Sequence, residues 1–298
     1  MNTTEMRIPS NRVRDVRRYS HEQLDGLYGS GEVESMMRML FEAFLGWDTT
    51  QLLLHNGDTI NQSDLLRFHW AIEDLKRYRP IQHIIGYADF CGCRIHVSPA
   101  MLVPRPETEQ LVETAVSTIQ RMGEPHPRVI DLCTGSGCIA IAIAKAVPAA
   151  QITAVELSEE AMEEAKANAV YNQANVEFVH ADILDIQGLC PKLGPNRADL
   201  IVSNPPYVCQ SERKEMRPNV LDYDPAMALF VADETPLLFY HAIAEIGDRC
   251  LKVGGILAVE INEKLGAETA ALFASHGYQC SICQDFRERD RFVVGRKV

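Results

Sequence analysis

Val129-Ile-Asp-Leu-Cys-Thr-Gly-Ser-Gly-Cys-Ile-Ala140 decides the fold. Its first half is an apolar run that reads as a strand, and Ile139 to Ile143 opens a helix. Between them, Gly135 and Gly137 permit a tight turn in which the backbone can approach a ligand closely at a helix N-terminus. A second strand follows and ends at Glu156, where a carboxylate can accept both hydroxyl protons of a ribose. Turn and carboxylate together point to a nucleoside-containing cofactor. Gly135-x-Gly137-x-x-Ala140 also fits a dinucleotide fingerprint, so the segment does not choose which one.

Outward from this unit the same alternation repeats. Strands are predicted at 128–133, 151–157, 176–181, 200–203, 256–261, 280–286 and 291–296, with helices at 137–147, 159–172, 236–251 and 265–276. Ser158 reads as an N-cap, with Glu159 and Glu160 at the positive end of the helix that follows. Such alternation implies an α/β fold built on a doubly wound, mostly parallel seven-stranded sheet. The last two strands have no helix between them, so one of them runs antiparallel.

The front of the chain has a different period. Val33, Met36, Met37, Leu40, Phe41, Phe44 and Leu45 form the stripe of an amphipathic helix. A second helix starts after Ser63, taken as its N-cap, and stops before Pro80. Residues 1–85 are therefore expected to form a helical domain that docks a partner, with 1–30, which lack periodicity, as a flexible or locally helical extension. Residues 86–123 are read as a hairpin (87–91 and 94–97) and a linker helix begun by Pro106. The break at 123–127 is taken as the main domain boundary, which leaves 124–298 as the sheet domain.

Composition narrows the function. The chain of 298 residues has 41 acidic against 29 basic side chains, a formal charge of −12. That argues against gripping a nucleic-acid backbone, and no apolar run reaches the ~20 residues of a membrane span. Nine cysteines are scattered along the chain. Cys280-x-x-Cys283 is half a ligand set without a second half, so no metal is expected and reduced thiols suit a cytoplasmic protein.

Ser203-Asn204-Pro205-Pro206-Tyr207 carries the chemistry. Two prolines lack backbone N–H groups, so a central strand must stop here in a rigid loop at the cofactor edge of the sheet. The Asn204 side-chain carbonyl and the Pro205 carbonyl accept hydrogen bonds, and Tyr207 offers a flat ring face. Two acceptors and a platform suit a planar NH2 group, a poor nucleophile that must be held and turned towards an electrophilic methyl. Asp182, followed by Ile183, ends the third strand, where a residue contacting an adenine would lie; a strand-end turn is its other reading.

Asp131-Leu-Cys-Thr-Gly-Ser-Gly137 with Asn204-Pro-Pro-Tyr207 resembles the class I S-adenosylmethionine-dependent methyltransferases that modify amide or amino nitrogens. Pro104-Arg-Pro-Glu-Thr-Glu109, preceded by the hairpin, is similar to the HemK-type release factor N5-glutamine methyltransferases in particular. The resemblance runs from about Arg79 to the C-terminus. It implies S-adenosyl-L-methionine as cofactor, and peptide chain release factors, at the glutamine of a Gly-Gly-Gln loop, as substrate. It also implies that Cys133, Thr134, Gly135, Ser136, Gly137, Glu156, Asp182, Ile183 and Asn204 hold the cofactor. Asn204, Pro205, Pro206 and Tyr207 would then take the glutamine, with Asn204, Pro205 and Tyr207 as the catalytic set. Cys133 stands where many members have Gly, and Glu156 where many have Asp. Arg105 reads equally as a residue of the substrate mouth or as structural, whereas Pro106 and Glu107 open a helix at its favoured first positions.

Other readings stay open at this point. A DNA adenine methyltransferase uses the same Asn-Pro-Pro-Tyr chemistry but must flip a base and grip phosphates, and this chain has no basic tract. A ribosomal-protein glutamine methyltransferase fits less well with Pro104–Glu109. A nicotinamide-dependent dehydrogenase would explain the glycine turn but leave Asn204–Tyr207 without a task.

Overall fold

Helices build the first part of the chain: α1 (Val13–Tyr28), α2 (Ser30–Leu45), α3 (Thr49–Leu54), α4 (Gln62–Lys76) and α5 (Ile81–Ile85). Their apolar faces meet in one core that contains Leu24, Val33, Met37, Phe41, Phe68 and Ile72. The computed structural model describes residues 8–298 and divides into two compact units between Gly86 and Tyr87.

Two expectations change here. The stretch taken as an extension contains α1, whose Val13, Val16, Tyr19 and Leu24 are buried in the helical core; residues 1–7 lie outside the described residues. The cap of α4 is Asn61 and not Ser63. The Asn61 side-chain oxygen accepts from the Asp64 N–H at 2.9 Å, so Ser63 falls inside the first turn.

The second unit begins with the hairpin β1 (Tyr87–Phe90) and β2 (Cys93–His96), then α6 (Pro106–Met122). Strands and helices then alternate: β3 (Arg128–Leu132), α7 (Cys138–Ala146), β4 (Gln151–Glu156), α8 (Glu159–Tyr171), β5 (Val176–His180), α9 (Ile186–Leu193) and β6 (Ala198–Ser203). A run of short pieces follows, comprising β7 (Val208–Cys209), a six-residue 3-10 helix (Gln210–Glu215), α10 (Pro218–Leu221), α11 (Ala226–Leu229) and β8 (Phe230–Val231). The chain closes with α12 (Leu238–Cys250), β9 (Leu251–Glu260), α13 (Gly266–Ser275), β10 (Tyr278–Gln284) and β11 (Asp290–Lys297).

The seven-stranded sheet has the order β10-β11-β9-β6-β3-β4-β5. β9, β6, β3, β4 and β5 are parallel neighbours, and β11 runs antiparallel to both strands beside it. Alternation along each strand divides the core. Val129, Leu200 and Ala258 face one layer, with Leu111, Ile119 and Ile139 of α6 and α7. Ile130, Ile201 and Val259 face the other, with Ile243 of α12 and Phe273 of α13.

The turn at 123–127 is thus a connection inside the sheet unit and not the main boundary. The buried face of α6 packs on the sheet, so α6 and the hairpin belong to that unit.

Candidate active site

Strand register lines the site up. Leu132 pairs with Val155 and with Ser203, and Ser203 pairs with Val259. One residue further on, Cys133, Glu156, Asn204 and Glu260 stand side by side along the carboxyl edge. β3 connects onward to β4 on one side and neighbours β6 on the other, so the chain changes direction across the sheet at β3. A crevice outside the strand ends at such a point is where open α/β sheets bind ligands.

A cleft lies there, with about 960 Å³ of space, part of it open to solvent. It draws together Cys133, Thr134, Gly135 and Ser136 from the turn, Glu156 from β4, and Asp182 and Ile183 after β5. Asn204, Pro206 and Arg105 line it as well, whereas Gly137, Pro205 and Tyr207 do not.

Each of these positions has a local cause. Gly135 has φ +54°, and a Cβ there would meet nothing within 4 Å. Gly137 has φ +79°, but a Cβ there would lie 3.2 Å from both Ala165 Cβ and Ile141 Cδ1. Gly137 therefore serves close packing of α7 and α8 and not the approach of a ligand. Cys133 also takes a left-handed φ of 59°, a conformation that glycine adopts at less cost.

Glu156 binds its own turn: Oε2 accepts from the Gly135 N–H at 2.8 Å, and Oε1 from the Leu157 and Ser158 N–H groups at 2.9 Å. A carboxylate has about four acceptor positions, so one remains, on Oε2. Taking both hydroxyls of a ribose requires the Gly135 bond to open. Asp182 lines the cleft and also makes a turn, its Oδ1 accepting from the Leu184 N–H at 2.8 Å.

Sequence reasoning missed four carboxylate or hydroxyl groups here. Asp131 sits in β3 with no exposure. Its Oδ2 accepts from Thr134 Oγ1 at 2.5 Å and from the Ala140 N–H at 3.2 Å, while Oδ1 has no partner among the described residues. Burial pushes this carboxyl up to about 7, against the two hydrogen bonds. Glu260, at the end of β9, is 2% exposed, and burial raises it above the usual carboxylate range although Thr108 and Tyr207 hydrogen-bond to it. The signal in both cases was a lone acid inside an apolar strand sequence.

Tyr207 departs from expectation. Its hydroxyl, given no task in the sequence reading, donates to Glu260 Oε1 at 2.8 Å, and burial beside that carboxylate raises its pKa well above the ordinary value. Thr108 of α6 donates to Glu260 Oε2 at 2.8 Å and accepts from Asn204 Nδ2 at 3.3 Å. Arg105 pairs with the buried Asp224, which fastens the segment around α11 to the start of α6. Pro225 and Ala228 of that segment line the cleft. Arg105 is thus an ion-pair residue at the cleft wall. Glu107 lies in the first turn of α6, 4.0 Å from Arg287.

Among the described residues no group of His, Cys, Asp or Glu could hold a metal ion, and no helix is long and apolar enough to cross a membrane.

Residues 109–221 match the model of the methyltransferase small domain, and residues 15–86 that of the PrmC N-terminal domain. Among solved structures, a methyltransferase from Pyrococcus furiosus superposes with a TM-score of 0.50 at 20% identity, covering 69% of this chain and 89% of that one. That likeness shows the fold. The release factor glutamine methyltransferase of Flavobacterium psychrophilum is 35% identical over 94% of this chain and 98% of its own length. Its counterpart in Bacteroides thetaiotaomicron is 35% identical over 95% and 99%, respectively. Similarity of this extent, over nearly the whole of both chains, shows that the chain belongs to the release factor glutamine methyltransferase family.

Proposed function

We propose that the chain transfers a methyl group from S-adenosyl-L-methionine to the side-chain amide nitrogen (N5) of the glutamine in the Gly-Gly-Gln loop of peptide chain release factors. The observation that carries this reading is the shared row of Cys133, Glu156 and Asn204, which sets Asn204 and Pro206 of the Asn-Pro-Pro-Tyr loop beside a glycine turn and a carboxylate in one cleft. The residues present fit the cofactor. Gly135 leaves space for close approach, and Glu156 keeps an acceptor for a ribose hydroxyl. Asp182 and Ile183 complete that side of the cleft.

When bound, S-adenosyl-L-methionine supplies an electrophilic methyl on sulfur. The chain's own part is to make an amide nitrogen competent to receive it. Asn204 Oδ1 accepts one N–H of the glutamine and the Pro205 carbonyl accepts the other, which fixes the NH2 plane. Holding both N–H groups away from the amide plane frees the nitrogen lone pair that resonance otherwise withdraws. As the new N–C bond forms and the S–C bond breaks, the nitrogen becomes acidic and one proton leaves to solvent. No strong base is needed beforehand. Pro206 and Tyr207 keep the loop rigid, and Tyr207 is anchored through its hydroxyl. The helical unit that ends at Gly86 is assigned to docking the release factor. Leu66 and Trp70, one turn apart on α4, are 41% and 60% exposed and offer it an apolar face. A release-factor substrate puts the reaction in the cytosol.

Methyl transfer from labelled cofactor to a purified release factor tests the reading. A parallel measurement tests the cofactor side. Glu156→Ala is expected to weaken S-adenosylmethionine binding by roughly 10–100-fold in calorimetry, the worth of one hydrogen bond to a charged group at ~1.5–3 kcal/mol. Parental affinity in a folded Glu156→Ala protein would remove the ribose role.

A further inference from the structure

Thr108 belongs to the Pro104–Glu109 stretch, and neither the cofactor nor the substrate reading uses it. Yet it is 2% exposed, and it touches both a buried carboxylate and the residue asked to hold the target amide. A hydroxyl has one proton to give. Glu260 is fixed as an acceptor on both oxygens, since Tyr207 donates to Oε1 at 2.8 Å and Thr108 to Oε2 at 2.8 Å. With its proton committed to Glu260, Thr108 turns lone pairs towards Asn204. Only the NH2 end of the Asn204 amide can answer them, at 3.3 Å. The opposite end, Oδ1, is then turned away from Thr108.

We propose that Thr108 and Glu260 are positioning residues that set the polarity of the Asn204 amide, so that its oxygen and not its NH2 meets the N–H of the target glutamine. The inference rests on the reading of Asn204 as the acceptor for that glutamine. An unheld primary amide can turn over, and its NH2 end would repel the substrate's NH2. A carboxylate on β9, a hydroxyl on α6 and an amide after β6 together remove that second state. Glu260 is tied further through its backbone oxygen, which accepts from the Tyr240 hydroxyl of α12 at 3.2 Å. In this way Thr108 of the Pro-Arg-Pro-Glu-Thr-Glu stretch serves the Asn-Pro-Pro-Tyr loop.

The experiment is a double-mutant cycle in the full chain, read by single-turnover methylation of a purified release factor. Thr108→Val keeps the shape and removes the hydroxyl, and is expected to slow transfer by roughly tenfold, the weight of one neutral hydrogen bond. Thr108→Ser should stay within about threefold of the parent. S-adenosylmethionine affinity, measured in parallel, should not change for either. The same Thr108→Val change made in Asn204→Ala should cost nothing further, because the amide it orients is gone. A loss of equal size in both backgrounds, or no loss in either, would overturn the proposal. Glu260→Gln provides a second variant should Thr108→Val not fold: its NH2 can donate to Thr108, release the hydroxyl proton towards Asn204 and so slow transfer only while Asn204 is present. If the parent itself fails to methylate the release factor, the functional reading has failed and not the positioning idea.

Discussion

Asn204→Ala is expected to slow single-turnover methylation of a release factor by ~10²–10³-fold, the cost of deleting one preorganised hydrogen-bond partner of a transition state. The size follows from the weakness of the nucleophile. An amide nitrogen donates its lone pair to its own carbonyl, so the rate depends on how firmly its two N–H groups are held. Folding should survive. Asn204 is half-buried at the end of β6, and its loss leaves the Thr108–Glu260 bond intact, so no buried carboxylate is orphaned. Cofactor affinity should fall by much less than the rate, since Glu156 and the glycine turn are untouched. Stopped-flow or quenched methylation with the cofactor Kd determined alongside separates the two quantities. A near-parental rate would take Asn204 out of the mechanism.

Gly137→Val is expected to destabilise the sheet unit by about 3 kcal/mol or more. Two costs combine. A residue with a Cβ at φ +79° pays ~1–2 kcal/mol for the left-handed backbone. Its Cβ would also press at 3.2 Å on Ala165 Cβ and Ile141 Cδ1, in a packed region where forced adjustment costs ~1–3 kcal/mol. Gly135→Ala is the contrast. It shares the positive φ but meets no neighbour, so it should cost about 1–2 kcal/mol of backbone strain and weaken cofactor binding more than stability. Urea unfolding of both variants checks the difference. If Gly137→Val unfolds like the parent, the close approach of α7 and α8 does not depend on that glycine.

Much of the site was legible because a parallel sheet turns sequence periodicity into geometry. Once β3, β4 and β6 are recognised, their ends align, and Cys133, Glu156 and Asn204 must come together on one edge. Glu260 belongs to the same row, but its partner Thr108 is 152 residues away, and nothing local announces the pairing. The Tyr207 hydroxyl was misjudged for the same reason: its task is set by a carboxylate from another strand.

The helical unit shows a different limit. α1 carries Arg14, Arg17 and Arg18, with Arg12 just before it, around a thin stripe of Val13, Val16 and Leu24, so charge hides the apolar period. The structure resolves part of this by pairing Arg17 with Glu34 of α2 at 2.8 Å and Arg18 with Asp15 at 3.0 Å. Asn61 and Ser63 are both capping residue types, and the choice between them is made by backbone geometry that side-chain identity does not report. Between Tyr207 and α12 the elements are two to six residues long, too short for any period to declare itself.

The central claim, methyl transfer to one glutamine nitrogen, is tested most directly by tandem mass spectrometry. A purified release factor is incubated with this protein and S-adenosylmethionine bearing a deuterated methyl group, then digested and sequenced. The account expects one labelled methyl on the side chain of the Gly-Gly-Gln glutamine, and none when Asn204→Ala replaces the parent on the same timescale. Label on another residue of the release factor, or no label there while a ribosomal protein or DNA adenine offered in a parallel incubation is labelled, would contradict it.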